Sequence, residues 1–218
     1  MDALLGNLDL WGIATLNTVV LFLGGGVLAL VIGTIVGAMR VSPVPIARAV
    51  GTVYVNLIRN TPLTLVFFFF VFGYPKLDLP DIPLVWLCIW ALGIYTATYV
   101  AEVLRAGIST VPVGQAEAAR AIGLTFGQVM TLVIMPQAFR SVVPPMMSVF
   151  IALLKNTTIA AGFSIAELAA LRATVADSAN RPGTVMEILL WVAVVFIVLV
   201  TLLSLLQRYF EKKWRIAR

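Results

Sequence analysis

Between Asp9 and Arg40 the chain carries no charged side chain for 30 consecutive positions. A helix that spans a bilayer needs about 20 mostly apolar residues, so this stretch can cross one with room for tilt. A soluble fold would have to bury it whole, and a chain of 218 residues has too much surface to do so. Composition points the same way. The chain is 61% hydrophobic and 11% charged, whereas a soluble domain is roughly half apolar and a quarter charged. The bilayer is the natural solvent.

Four more apolar segments follow the first. One runs over about 46–74 and is interrupted by Arg59-Asn60-Thr61-Pro62. Another covers about 84–107 and carries Glu102 and Arg105. A third, about 126–154, contains Pro136, Pro144 and Pro145. The last, about 184–207, is uncharged from position 188 onward. The sequence therefore predicts an all-α membrane protein, one domain over 1–218, with about five transmembrane helices.

An odd number of spans puts the termini on opposite sides. Arg40 and Arg48 lie between the first two spans with no acid beside them. Arg208, Lys212, Lys213, Arg215 and Arg218 follow the last span, against Glu211 alone. Asp2 and Asp9 open the chain, and the loop with Lys76, Asp78 and Asp81 is net negative. Positive charge is retained on the cytoplasmic side. The expected topology is N-terminus outside and C-terminus inside a bacterial plasma membrane, with no cleavable signal peptide. The net charge of +5 reports orientation, and no nucleic-acid partner is expected.

Several chemistries find no residues here. The one cysteine, Cys88, closes no intramolecular disulfide and is read as helix packing. Histidine is absent, which removes the commonest general base and metal ligand. No G-x-x-x-x-G-K-[ST] phosphate loop occurs. The chain is expected to have no catalytic residue, metal or cofactor of its own and to be no enzyme; any ATP and Mg would be held by a partner ATPase.

Between the third and fourth spans the topology places residues 109–123 in the cytoplasm. Pro112 suits a helix start, the alanine-rich stretch that follows favours helix, and Gly123 suits a helix end. A short cytoplasmic helix over 113–125 is predicted. Its Glu117-Ala118-Ala119, with Gly123 four residues on and Pro136 closing Val133-Ile134-Met135-Pro136, resembles the signature E-A-A, three residues, G, nine residues, I-x-L-P of ABC importer permeases. The spacing is intact; valine and methionine replace isoleucine and leucine. The resemblance implies a type I importer fold in which Glu117, Ala118, Ala119, Arg120 and Gly123 form a coupling helix docking on the ATPase. A solvated loop helix is the alternative.

The segments 58–63, 95–107 and 152–158 are similar to the polar amino acid branch of these permeases, and the overall pattern to actinobacterial glutamate-type permeases. That resemblance implies two cytosolic ATPase subunits, a second permease of identical or similar kind, and an extracellular solute-binding protein. It also implies an amino acid substrate, glutamate-like, carried by alternating access.

Physical reasoning marks candidates for the solute path. Charges inside spans are costly and face protein, water or one another, which singles out Arg59, Glu102 and Lys155. Thr98, Glu102 and Arg105 share one helix face. Asn60 and Thr61 precede a helix-breaking proline, and Asn156 and Thr157 end the fourth span, where broken helices can offer backbone groups to a solute. Arg59 and Glu102 could instead be a structural ion pair. Gly33 and Gly37 form a G-x-x-x-G pair that permits close helix approach, within this subunit or against a partner. An ion-driven secondary transporter and a non-transporting scaffold remain as rival functions.

Overall fold

The computed structural model describes residues 6–171, 173 and 184–213; Asp2 and the tail residues Trp214, Arg215 and Arg218 lie outside the described residues. The described residues are almost wholly helical. Helix α1 spans Leu8–Val41, and its 34 residues rise about 50 Å, well beyond a hydrocarbon core of about 30 Å. Helix α2 covers Pro45–Arg59, with its proline in the first turn, where no donor is needed. Helix α3 covers Leu63–Phe68 and continues through a π-helical turn, Phe69–Gly73, to Lys76.

Helix α4 spans Leu84–Ser109 and α5 spans Val113–Ala121. Helix α6, Met135–Asn156, is entered through Phe126–Gln128 and a second π-helical stretch, Val129–Ile134. Helix α7 covers Thr184–Lys213. Both π stretches have a proline just beyond them, Pro75 and Pro136. A proline ring clashes with the carbonyl four residues back, here Val71 and Leu132, and widening that turn relieves the clash.

Among the described residues four helical stretches are long and apolar enough to cross a membrane, and α2 with α3, bent by 99° where they join, form a fifth candidate span. The bend falls at Asn60–Pro62, as the interruption in the sequence predicts. Pro62 cannot donate to the preceding turn, and the Thr61 hydroxyl caps the Leu57 carbonyl at 2.8 Å. That local bond serves a backbone carbonyl at the break, as a hydroxyl can at an interrupted span.

Helix α4 is the axis of the bundle. Within its apolar window 61% of residues are buried, against 11% in α7, which lies at the periphery. Helix α1 runs along α4, and its glycines set the spacing. A Cβ on Gly33 would sit 2.5 Å from Val100 Cβ, and one on Gly37 would sit 3.2 Å from Leu104 Cβ. The G-x-x-x-G pair is thus used within this subunit. Further along the α1–α4 pair the largest core cluster gathers Leu21, Phe67, Cys88, Leu92, Leu153 and Phe163. The phenylalanine run divides: Phe67 is fully buried and stacks on Phe163 at 5.1 Å, whereas Phe68 and Phe69 are exposed, as suits lipid contact.

Candidate functional site

An ion cluster joins α1, α2 and α4. Glu102 is ion-paired with three guanidiniums: Arg40 Nη1 at 2.7 Å, Arg105 Nη2 at 3.0 Å and Arg59 Nη1 at 3.5 Å. Arg105 donates to Oε2 through both Nε, at 3.2 Å, and Nη2, at 3.0 Å, two charge-assisted bonds converging on one oxygen. Arg40 reaches the cluster from the end of α1 because Gly51 of α2 leaves room for its stem; a Cβ there would meet Arg40 Cγ at 2.8 Å. Glu102 lies seven residues before the end of α4, about 10 Å along the axis. At that depth a lone carboxylate or guanidinium would be costly, and mutual pairing offsets the cost.

Further along α4 a half-open cavity of about 400 Å³, apolar over most of its wall, with Val149 and Leu153 among its liners, but carrying several polar groups, opens between α4 and α6. It is lined by Tyr95, Thr96 and Tyr99 on one side and by Ser148, Ala152 and Asn156 on the other. The Tyr95 and Tyr99 hydroxyls lie 3.0 Å apart. These hydroxyls and the Asn156 amide can serve a zwitterionic solute with donors and acceptors. A shallower cleft on α2 carries Asn56, Asn60 and Thr61.

The remaining sequence-predicted residues have varied places. Arg59 and Glu102 meet in the ion cluster, and Asn156 lines the cavity. Thr98 is fully buried, with its hydroxyl on the Tyr95 carbonyl at 2.7 Å. Thr157 is also buried and bonds to the Leu154 carbonyl. Lys155 is exposed at the end of α6, with no acid of the described residues in ion-pair reach.

At the other end of the α4–α6 pair, α5 hangs between the two spans. Pro112 caps its start. Its end is a glycine stop: Gly123 has φ +91°, its N–H donates to Arg120 O at 2.9 Å, and Leu124 N–H donates to Ala119 O at 3.1 Å. Those two bonds are the paired closure that a left-handed residue after a helix permits. The next turn is fixed by Thr125 and Gln128, each of whose side chains caps the other's backbone N–H. Ala119 turns inward and is buried, while Glu117, Ala118, Arg120 and Gly123 face outward with Val113 and Ile122. Gln115 and Gln137 bond side chain to side chain, tying α5 to the start of α6.

Sequence reasoning missed Arg40 as a cluster member, having read it as a loop charge. It also missed Tyr95, Tyr99 and Ser148. The signal was available for the tyrosines: 95, 99 and 102 fall at i, i+4 and i+7, one face of a helix. Glu167 was missed too. It is fully buried in the turn after α6, with Oε1 accepting from Ala169 N–H at 2.8 Å. The Thr18 hydroxyl of α1 accepts from Leu168 N–H at 3.2 Å and lies 3.5 Å from Glu167 Oε2. Burial pushes this carboxyl up to about 7, against the backbone donors and Thr18, which pull it down.

A helical membrane bundle with a cavity between its spans and a short exposed helix slung from two of them is the build of a transport permease. The chain belongs to the family of binding-protein-dependent transport system inner membrane components, whose model matches residues 29–216. The likeness to importer permeases read from the E-A-A segment is borne out. The glutamate transport system permease protein GluC of Corynebacterium glutamicum is 46% identical over 164 residues, 70% of this chain and 72% of that protein. The probable glutamine ABC transporter permease protein GlnM of Bacillus subtilis is 37% identical over 84% of this chain and 83% of that one.

Among solved structures, an amino acid ABC transporter crystallised with histidines matches with a TM-score of 0.89 at 28% identity, covering 96% of each chain. The MetNI methionine ABC transporter matches with a TM-score of 0.76 at 20% identity, over 96% of this chain and 98% of that one. At that identity it supports the fold alone.

Proposed function

We propose that this chain is one permease half of an ATP-driven importer for an acidic amino acid. Its α5 is the docking rod for a cytosolic ATPase that is a separate chain and binds ATP and Mg. The observation that carries this reading is the outward face of α5. Glu117, Ala118 and Arg120 project from a nine-residue rod stopped by Gly123, and the rod is fixed at both ends to the spans that line the cavity. Small residues allow a partner surface to approach closely, and Glu117 and Arg120 offer one charge of each sign. Force applied to the rod would reach α4 and α6 together, and with them the walls of the cavity.

In this reading the N-terminus is outside and α5 and the C-terminus are cytoplasmic, following the basic residues. A second permease, a second ATPase and an extracellular solute-binding protein complete the assembly. The acidic substrate is supported by the name of the 46% identical relative. Solute enters the cavity from outside, and ATP-driven movement of α5 shifts the population towards an inward-open state. The test is uptake of labelled glutamate into proteoliposomes holding the chain with its ATPase and binding protein. Uptake is expected with ATP on the α5 side. Uptake driven by an imposed proton or sodium gradient without ATP would sink the reading.

A further inference from the structure

We infer that Arg59 and Arg105 form a binding site for the side-chain carboxylate of the transported solute, next to Glu102 and in line with the cavity. The inference rests on the proposed acidic substrate and adds where its charge is met. Three guanidiniums surround one carboxylate, so the cluster carries an excess of two positive charges. Among the described residues no second acid lies within ion-pair reach. Uncompensated charge at this depth of a span calls for an anion or water.

The three arginines differ in what they can still do. Arg40 is nine-tenths buried and 2.7 Å from Glu102, and its Nε has no hydrogen-bond partner. It balances Glu102 and holds α1 to α4. Arg105 spends Nε and Nη2 on Glu102 yet is 42% exposed, with Nη1 unspent. Arg59 touches Glu102 only at 3.5 Å, is 39% exposed and keeps most of its donors. Two guanidinium edges are therefore open, and a second carboxylate can bind them without displacing Glu102. Planar forks of this kind match carboxylates in a way a lysine does not.

Position supplies the source of that carboxylate. Tyr95, Tyr99 and Glu102 stand on one face of α4, so the charge cluster follows the cavity hydroxyls within about 10 Å of axial rise. A solute moving along that face passes from neutral donors and acceptors to the two open cations. The acid of an anionic lipid headgroup shares the same chemistry, and the experiment separates the two.

The measurement is equilibrium binding of labelled glutamate and glutamine to the intact permease–ATPase complex in nanodiscs, made once with zwitterionic lipid and once with anionic lipid. Arg59→Gln is expected to weaken glutamate binding about two- to fivefold, the scale of one exposed charge pair, and to leave glutamine unchanged. Arg59→Lys should recover part of the loss. Glu102→Gln should tighten glutamate binding, because it removes the competing acid. A merely structural cluster predicts instead that Arg59→Gln and Glu102→Gln weaken both ligands together, which would overturn the inference. Glutamate binding unchanged by Arg59→Gln, with retention of anionic lipid lost instead, would assign the site to lipid and overturn it as well. If the wild-type complex binds no glutamate, the acidic-substrate reading falls and takes the inference with it; if it binds glutamate but ignores Arg59→Gln, the inference alone falls.

Discussion

Glu167 shows how one side chain can fasten two distant parts of this bundle. Its carboxyl group and the Thr18 hydroxyl together hold the turn after α6 against α1, beside the apolar cluster of Trp11, Ala14, Leu168 and Leu171. The ordinary carboxyl value of 4.5 is raised to about 7 there by burial. The sign follows directly. The unfolded chain ionises this group near 4.5 while the folded chain keeps the proton to about 7, so the contribution to stability is complete below 4.5 and lost as pH rises through 7. Thermal unfolding of the purified protein should fall on the order of 5 °C between pH 5 and pH 8, and Glu167→Gln should remove most of that slope. An unchanged slope in the variant would show that the titrating group lies elsewhere. This fastener was not legible in the sequence, because Ser164-Ile165-Ala166-Glu167 follows an apolar span with no feature that says which way the acid turns. Arg40 was hidden for a related reason. Its place in the chain marks a helix end, and only the fold shows that Gly51 lets the guanidinium fold back to Glu102.

At the scale of elements, α5 was readable because its punctuation is local. Pro112 at the start, Gly123 at the stop and the T-x-x-Q pair Thr125 and Gln128 each act within one turn, so neighbours in sequence suffice to see them. The two π-helical stretches were less readable: prolines announce a disturbance, but whether the chain kinks, breaks or widens depends on what packs around it. The stop at Gly123 also separates two effects that a single substitution would mix. Its φ of +91° strains any L residue, at roughly 1–2 kcal/mol, yet a Cβ there meets nothing within 4 Å. Gly123→Ala and Gly123→Arg therefore share the backbone strain and differ in the bulk and charge they add to the outward face. Capture of the partner ATPase by the tagged permease should survive Gly123→Ala and drop at least tenfold in Gly123→Arg, with membrane insertion of both intact. Equal capture by the two variants would remove the outward face of α5 from the docking surface.

For the whole molecule, the apolar segments and their order were legible from hydropathy, and the path of α2 into α3 was not. A run interrupted by Arg59-Asn60-Thr61-Pro62 can be a kinked span or two helices nearly at right angles; the structure has the second, with a bend of 99°. Orientation depends on basic residues outside the spans, and it controls everything proposed for α5. It can be read chemically, since Cys88 is the sole cysteine and is buried. On a Cys88→Ser background, Gly114→Cys would place a thiol at an exposed position with open space around it, and Asp81→Cys would place one in the exposed turn before α4. A membrane-impermeant maleimide added to intact cells should label Asp81→Cys and spare Gly114→Cys until the membrane is opened. The reverse pattern would put the rod outside, beyond the reach of any cytosolic motor, and five crossings would then carry the basic C-terminal end of α7 outside as well, against the rule that keeps such charge in the cytoplasm.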